Sequence, residues 1–458
     1  MPTPLPRHIA VIDIGKTNAK VVLFDARTGR QLDVLTTPNA VRRVGPYPHA
    51  DVEALWAFIC DSLKRLHARH GVEGISITTH GATAALIDGN DLVLPVLDYE
   101  HQGPETSADA YARVRPDFAH TLSPRLPNGL NLGAQLFWQA REFPGAFARA
   151  TAILSYPQYW AWRLTGQLAS EVTSLGCHTD LWSPDRSDYS HLVDEMGWRQ
   201  LFPPIRPANS ILGRVTEAVA ERTGLPRETP VTCGIHDSNA SLLPHLQEGE
   251  TPLSVVSSGT WTIVMTIGGG TSKLDPQRDS LANVDAFGRP VPTARFMGGR
   301  EFDTLVPGIA EPSAADIEQV LAADVQALPS VVPGVGPFGA RRASWTVDPE
   351  NLPDGMRTAA ASFYLALMTR ECLSLCGLGK RVVIEGPLAR NRLFVSALAQ
   401  LLGVLVSTSA DGTGTSLGAS LLFPGAGGAH SAEAVVEPLQ ADGLEAYAQR
   451  WLQRAARP

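Results

Sequence analysis

The stretch "HIAVIDIGKTNAKVVLFDARTGR" is apolar from Ile9 to Ile14, breaks at Gly15-Lys16-Thr17-Asn18, turns apolar again from Ala19 to Phe24 and breaks once more at Arg27-Thr28-Gly29. Two strands joined by a tight polar turn, a β-hairpin, are the expected result. From about Asp51 the period changes: Val52, Leu55, Ile59, Leu63 and Leu66 fall on one helical face. "GISITTHG" then reads as a buried strand ending in a polar turn, so strand, helix and strand together suggest an α/β layer architecture. Between about 100 and 230 the chain is richer in Pro and aromatic residues. Its most distinctive piece, "SYPQYWAWRLTG", reads as a helix packed into the core, with a sugar-stacking aromatic surface as the weaker alternative.

The polar junction "QEGETP", 247 to 252, marks a boundary, and "LSVVSSGTW" with "TIVMTIGGG" repeats the opening arrangement of strand, Gly-Thr turn and returning strand. Two such hairpins heading two halves of similar size point to duplicated domains. Further on come a long buried helix, "AAASFYLALMTRECLSLCGLG", a parallel-type strand, "RVVIEGP", a helix, "NRLFVSALAQLLG", and a strand, "VLVST". A glycine-rich turn, "ADGTGTSLGASLLF", enters a small-residue helix. The last thirty or so residues read as a surface helix. The expected division is 1–248, 249–445 and a terminal tail, 446–458.

Composition narrows the possibilities. A chain of 458 residues exceeds one ordinary core. With 44% hydrophobic and 18% charged residues it is ordinary for a globular protein, and a net charge of −8 gives no electrostatic reason to expect nucleic acid. The five cysteines, at 60, 177, 233, 372 and 376, form no CxxC pair and fit a reducing cytoplasm, with Cys372 and Cys376, four apart in a helical-looking run, reading as small core residues. Neither a signal-type apolar region nor a run of about 18 apolar residues occurs, so no membrane partner is expected.

The segment "GIHDSNASL", 234 to 242, sets His236, Asp237 and Ser238 side by side. A serine-hydrolase relay is disfavoured, because consecutive side chains diverge from one backbone and no Gly-x-Ser-x-Gly elbow surrounds Ser238. Glycine turns offer backbone N–H groups to phosphate oxygens, and Gly15-Lys16-Thr17-Asn18 and Ser258-Gly259-Thr260 both qualify. Lys16 adds a cation, and Asp13 at the end of its strand is placed to hold magnesium through water, turn capping being the alternative. Walker A and protein-kinase motifs are absent. In "GTGTSLGAS", Gly412, Gly414 and Gly418 would let a helix start close to a nucleotide, or merely pack closely.

In order and spacing, "IDIGKTNAK", "GIHDSNASL", "SSGTW", "IEGPLARN" and "GTGTSLGAS" resemble the two phosphate motifs, the Gly-x-x-Asp segment and the adenosine motifs of the FGGY carbohydrate kinases, members of the actin-like, sugar-kinase and chaperone ATPase superfamily. The resemblance covers nearly the whole chain. Through "GKTN", "TPNA" (37–40), "TTHGATAALID" (78–88) and "SSGTW" it is similar to the L-fuculose and L-rhamnulose kinases. It implies an α/β fold of two duplicated actin-like (ribonuclease-H-like) domains with a catalytic cleft between them. It also implies ATP and Mg2+, a small-molecule sugar, a homodimer, and Asp237 as the catalytic base. Phosphate or nucleotide contacts would come from Gly15, Lys16, Thr17, Asn18, Ser258, Gly259, Thr260, Gly386, Asn391, Gly412 and Gly414. Sugar contacts would come from His80, Thr83, Asp98, Glu100, His101, His236 and Asp237, with Asp13 on the metal.

Two departures from the family pattern stand out. The glycines that normally precede the adenosine-motif asparagine are replaced by Glu385-Gly386-Pro387-Leu388-Ala389-Arg390-Asn391. An Asp that resembles a sugar ligand becomes Thr83, and the following aromatic, Asp and Arg cluster becomes "DYEHQGPE", 98 to 105. Another pentulose, a polyol or a sugar acid therefore stays open as substrate, with Arg300 or the 158–178 segment as a carboxylate partner. So does an ATP-hydrolysing switch or a non-catalytic sensor on the same fold.

Overall fold

A computed structural model of the chain describes residues 6–247, 252–306, 308, 310–409, 414–423, 425–426 and 433–457. Two compact units emerge from its contacts: Met1–Glu248 with Asn283–Pro290 and Thr413–His430, and Gly249–Ala282 with Val291–Gly412 and Ser431–Pro458.

The first unit is built on the predicted hairpin, β1 (His8–Ile14) and β2 (Asn18–Asp25), extended by β3 (Arg30–Pro38). Ile9 to Ile12 and Ile14 are closed to solvent apart from a small part of Asp13, because the sheet is covered on both faces. Helix α1 (Val52–His70) starts where expected: the Asp51 carboxylate accepts from the Ala54 N–H at 3.2 Å, and Leu55, Ile59, Leu63 and Leu66 point into the core. It carries the chain across to β4 (Gly74–Thr79), which lies parallel to β1. Helix α2 (Tyr156–Thr165) is the "SYPQYWAWRLTG" segment, and Tyr156, Tyr159 and Trp160 are fully buried, so the core reading holds. With β5 (Ile211–Arg214) and β6 (Pro230–Thr232) the sheet runs β5-β6-β4-β1-β2-β3, and the short strand Ile235–His236 also pairs with β4.

The second unit repeats this path. Strands β7 (Leu253–Ser258), β8 (Thr262–Ile267) and β9 (Pro290–Phe296) form an antiparallel series. After helix α3 (Asp354–Cys376), buried along most of its 23 residues, β10 (Arg381–Glu385) pairs parallel to β7. Helix α4 (Arg392–Leu402) leads to β11 (Leu405–Ser409), again parallel. Helix α5 (Gly414–Ser420) follows, and β12 (Glu433–Val435) closes the series antiparallel to β11. Beyond an extra edge strand, Ser280–Val284, the order β9-β8-β7-β10-β11-β12 matches β3-β2-β1-β4-β6-β5 in strand sense and in the chain order of its first four strands, while the last two strands are exchanged in chain order. The duplication expected from the two hairpins thus extends to a shared four-strand core, and the remaining strands diverge.

Two expectations change. The span 249–445 is interrupted, since 283–290 and the segment holding α5 group with the first unit. Leu417, Leu422 and Phe423 pack there with Ile9, Val11, Val22 and Phe24 of its sheet, a contact set by tertiary packing rather than by local pattern. Nor is 446–458 a tail. Helix α6 (Leu444–Ala456) buries Leu444, Tyr447, Ala448, Trp451 and Ala455 in the second core, where Trp451 Nε1 donates to the Ala327 carbonyl at 2.8 Å.

Candidate active site

The turn after β1 is closed by the Gly15 N–H donating to the Asn18 carbonyl at 2.9 Å, and Asn39 ties it down by donating from Nδ2 to the Gly15 carbonyl at 2.8 Å. No described residue accepts from the N–H of Lys16 or Thr17, so the turn presents two consecutive free amides. Thr17 and Asn18 are exposed beside them. Asp13 is buried at the root of the turn, where its Oδ2 meets Lys20 Nζ at 3.1 Å and accepts from the Ser416 hydroxyl of α5.

Lys16 itself turns away to an acidic pair. Its ammonium bonds Asp98, stands 3.5 Å from Glu100 Oε2 and lies 4.5 Å from the centre of the Tyr99 ring. Lys16, Asn39, His80, Thr83, Asp98 and Tyr99 line a small cavity within this unit. His80 Nδ1 donates to the Gly81 carbonyl at 3.0 Å, and Thr83 Oγ1 is 3.4 Å from the same nitrogen. Burial pulls His80 below the usual histidine value, opposed by that carbonyl and by the charge of Asp237. His101 instead packs on Tyr47 and Trp138, and burial lowers it as well, with Asp98 opposing. Of the residues expected to touch sugar, the structure brings His80, Thr83 and Asp98 together around Lys16, with Glu100 at the rim.

Asp237 opens a one-turn helix, Asp237–Ala240, directly after the strand Ile235–His236. Its Oδ1 receives three groups: Ser238 N–H at 2.6 Å, Ser238 Oγ at 3.3 Å and His236 Nε2 at 3.1 Å. The expectation that neighbouring side chains diverge fails here. The backbone passes from extended at His236 (φ −66°, ψ 141°) into a helical turn, which swings the imidazole onto the next carboxylate. Ser238 reaches Asp237 and not His236, so the three make no nucleophilic relay. No described residue donates to Oδ2, and 31% of the side chain is open to solvent. Burial pushes the Asp237 pKa up to about 6; His80 counters this and the charge of Asp13 adds to it.

Behind this carboxylate lies a layer that motif reasoning missed. Asn239 Nδ2 is 3.2 Å from His236 Nδ1, and the His236 N–H donates to Thr173 Oγ1 at 3.1 Å. Glu171, wholly buried, accepts from the Thr173 N–H at 3.0 Å and from its hydroxyl, and burial raises its pKa to about 7. The only sequence signal was an acidic residue two positions before a threonine in "SEVTS", a helix-start pattern that says nothing of burial.

In the second unit, the Ser258-Gly259-Thr260 turn is closed by the Gly259 N–H donating to the Trp261 carbonyl at 2.8 Å, and no described residue accepts from Thr260 or Trp261 N–H. Ser258 Oγ is spent internally, donating to the Glu385 carbonyl at 2.5 Å and accepting from Leu388 N–H at 3.1 Å. Gly386 has φ +84°, and a Cβ there would stand 2.0 Å from the Ser258 carbonyl oxygen. Asn391 caps α4, accepting from Phe394 N–H at 2.9 Å while donating to Ser362 at 3.0 Å. Gly412 lies outside the described residues. Gly414 begins α5 in the first unit, and Gly418 is where that helix closes on Ala240, since a Cβ would fall 1.7 Å from its carbonyl oxygen.

Comparison with known proteins gives this geometry a setting. Residues 8–244 match the model of the FGGY family of carbohydrate kinases, N-terminal domain, and 250–432 that of carbohydrate kinase FGGY, C-terminal domain. A crystal structure of a carbohydrate kinase from Novosphingobium aromaticivorans superposes with a TM-score of 0.90 at 38% identity, covering 99% of each chain. An L-fuculokinase from Salmonella typhi is 28% identical over 61% of this chain and 61% of its own length. A probable L-xylulose kinase from Pasteurella multocida is 28% identical over 58% and 56%. The chain thus spans about three fifths of the curated relatives it matches. With two family models covering both units and a full-length structural match at 38% identity, the chain belongs to the FGGY family of carbohydrate kinases.

Proposed function

We propose that this protein transfers the γ-phosphate of Mg-ATP to a hydroxyl of a small ketose such as L-fuculose or L-rhamnulose, with Asp237 as general base. The observation that carries the reading is the two-sided carboxylate: Oδ1 is held by three donors, while Oδ2 meets none among the described residues. As the sugar oxygen attacks the γ-phosphorus, Oδ2 accepts the hydroxyl proton and ADP leaves with the cleaved P–O bond. A pKa of about 6 keeps the group mostly ionised at neutral pH, yet basic enough to draw that proton as charge develops.

The free amides of the two glycine turns, Lys16 and Thr17 in one and Thr260 and Trp261 in the other, suit phosphate oxygens. Asp13 fits a magnesium ion held through water: no described residue donates to its Oδ1, and its charge reinforces that of Asp237. A magnesium ion takes one or two carboxylates and completes its shell with water and phosphate, so the single carboxylate of Asp13 suits it. Bound there, the ion would neutralise phosphate charge.

A neutral sugar is favoured over a sugar acid, because Lys16 already faces both Asp98 and Glu100 and a substrate carboxylate would meet net negative charge. The names of the fuculokinase and probable xylulose kinase relatives lean the same way. ADP release from Mg-ATP, measured against L-fuculose, L-rhamnulose, D-ribulose, D- and L-xylulose, glycerol, erythritol and sugar acids, tests the reading. Turnover with a ketose that Asp237→Asn abolishes is expected; ATP binding without acceptor-dependent turnover would replace the kinase with a sensor.

A further inference from the structure

We infer that His236 is a positioning residue for Asp237: Asn239 holds the imidazole as its Nε2–H tautomer, and that N–H pins Oδ1 so that Oδ2 is the oxygen presented to the acceptor hydroxyl. The role assigned to Oδ2 rests on the kinase reading; the tautomer does not.

Donor and acceptor chemistry fixes the tautomer. The Thr173 carbonyl can only accept, and it lies 3.5 Å from Asn239 Nδ2, so the amide nitrogen of Asn239 and not its oxygen faces this side. The second hydrogen of that amide points to His236 Nδ1 at 3.2 Å. Nδ1 therefore carries the lone pair, and the ring proton sits on Nε2, 3.1 Å from Asp237 Oδ1 and 3.6 Å from Cys177 Sγ. His236 is 4% exposed, and burial lowers its pKa to about 4, so the ring stays neutral at neutral pH and does not compete for the proton Asp237 must take. The support continues outward: the His236 N–H is held by Thr173 Oγ1, whose own proton goes to buried Glu171. A Cβ at Gly81 would stand 2.7 Å from His236 Nε2, so the bare glycine at 81 is what leaves room for the ring.

The arrangement inverts the order found in nucleophilic triads. There a carboxylate orients an imidazole that moves the proton. Here an imidazole that moves no proton orients the carboxylate that does.

Two measurements test this. The first is the 15N spectrum of histidine-labelled protein, with the His236 signals among the 12 histidines identified by their loss in His236→Gln. A neutral ring protonated at Nε2 across neutral pH is expected, reverting to the Nδ1–H form in Asn239→Asp, whose carboxylate can only accept. An Nδ1–H or doubly protonated ring in the wild type would overturn the inference, whether or not the protein turns over sugar. The second is steady-state kinetics. His236→Met, which has no donor, should lower kcat about 10- to 100-fold with the KM for ATP changed less than about threefold. His236→Gln, whose amide N–H can replace Nε2–H, should recover most of that loss. Equal kcat in the Met and Gln variants would reduce His236 to packing.

Discussion

The two units share the order of their first four strands and a glycine turn at the same place in it, yet they use that turn differently. After β1 the free amides sit among side-chain charge: Asp13 with Lys20 beneath, Lys16 with Asp98 and Glu100 to one side. After β7 the neighbours are mostly backbone. Ser258 is tied to Glu385 and Leu388, and Gly299 lies so near Gly259 that a Cβ would stand 2.1 Å from its carbonyl oxygen. One turn is surrounded by ionisable side chains, and the other by close backbone approach. A duplicated scaffold can divide labour in this way because an amide-presenting turn needs no particular side chains, which leaves each copy free to add its own.

The largest expected effect tests the chemical side. Asp237→Asn should lower kcat by about 10²- to 10⁴-fold while the thermal midpoint stays near that of the wild type. In the wild type, kcat/KM should fall as pH drops below about 6, because the base is then protonated; a flat acid limb would remove Asp237 from the role. Next, Trp451→Ala should cost about 3–5 kcal/mol in urea unfolding, since it empties the centre of the second core rather than trimming a tail.

Two glycines, Gly15 within the first turn and Gly386 packed against the strand end that leads into the second, then compare their surroundings. Gly386→Ala should destabilise by roughly 1–3 kcal/mol, from its positive φ and the overlap with Ser258. At Gly15, where the nearest obstacle is the Asn18 carbonyl oxygen at 3.2 Å, alanine should cost less than about 1 kcal/mol. Equal costs would erase the contrast between the turns.

The smallest effect concerns Glu301, a buried carboxyl of the second unit whose pKa burial raises to about 7 and which accepts from the Tyr364 hydroxyl at 2.7 Å. Because the folded chain keeps this proton after the unfolded chain has released it, its stabilising contribution is complete below the ordinary carboxyl value of 4.5 and is lost as pH rises through about 7. Glu301→Gln should therefore raise stability by on the order of 1 kcal/mol at pH 9 and by less at pH 5, read as urea midpoints.

Much of this was legible in the chain because it is local. The Ile9–Phe24 and Leu253–Ile267 hairpins show in alternating apolar runs, and α1 shows in a stripe capped by Asp51. Asp237 stands in a recognisable segment, "GIHDSNASL". What stayed hidden depends on distant or conformational facts. Nothing near residue 13 announces that Ser416 will bond it. The meeting of His236 with Asp237 turns on one change of backbone region between them. Asn391 illustrates a different case: besides its place in the adenosine-type motif it caps α4, and an asparagine before an apolar helical run is itself a helix-start pattern. The spacing of Leu444, Tyr447, Ala448, Trp451 and Ala455 likewise carries a buried helical face, although the composition around it reads as a surface helix.

The return of α5 to the first unit bears on how the chain is made. Asp13 and its partner Ser416 are 403 positions apart, and Leu417, Leu422 and Phe423 cover apolar residues of the first strands. At roughly 5–20 residues per second, a ribosome needs about 20–80 s to supply that cover after the first hairpin has emerged. During that interval Ile9, Val11, Val22 and Phe24 lack part of their cover, so the packing of the first sheet is completed only by the chain's last hundred residues.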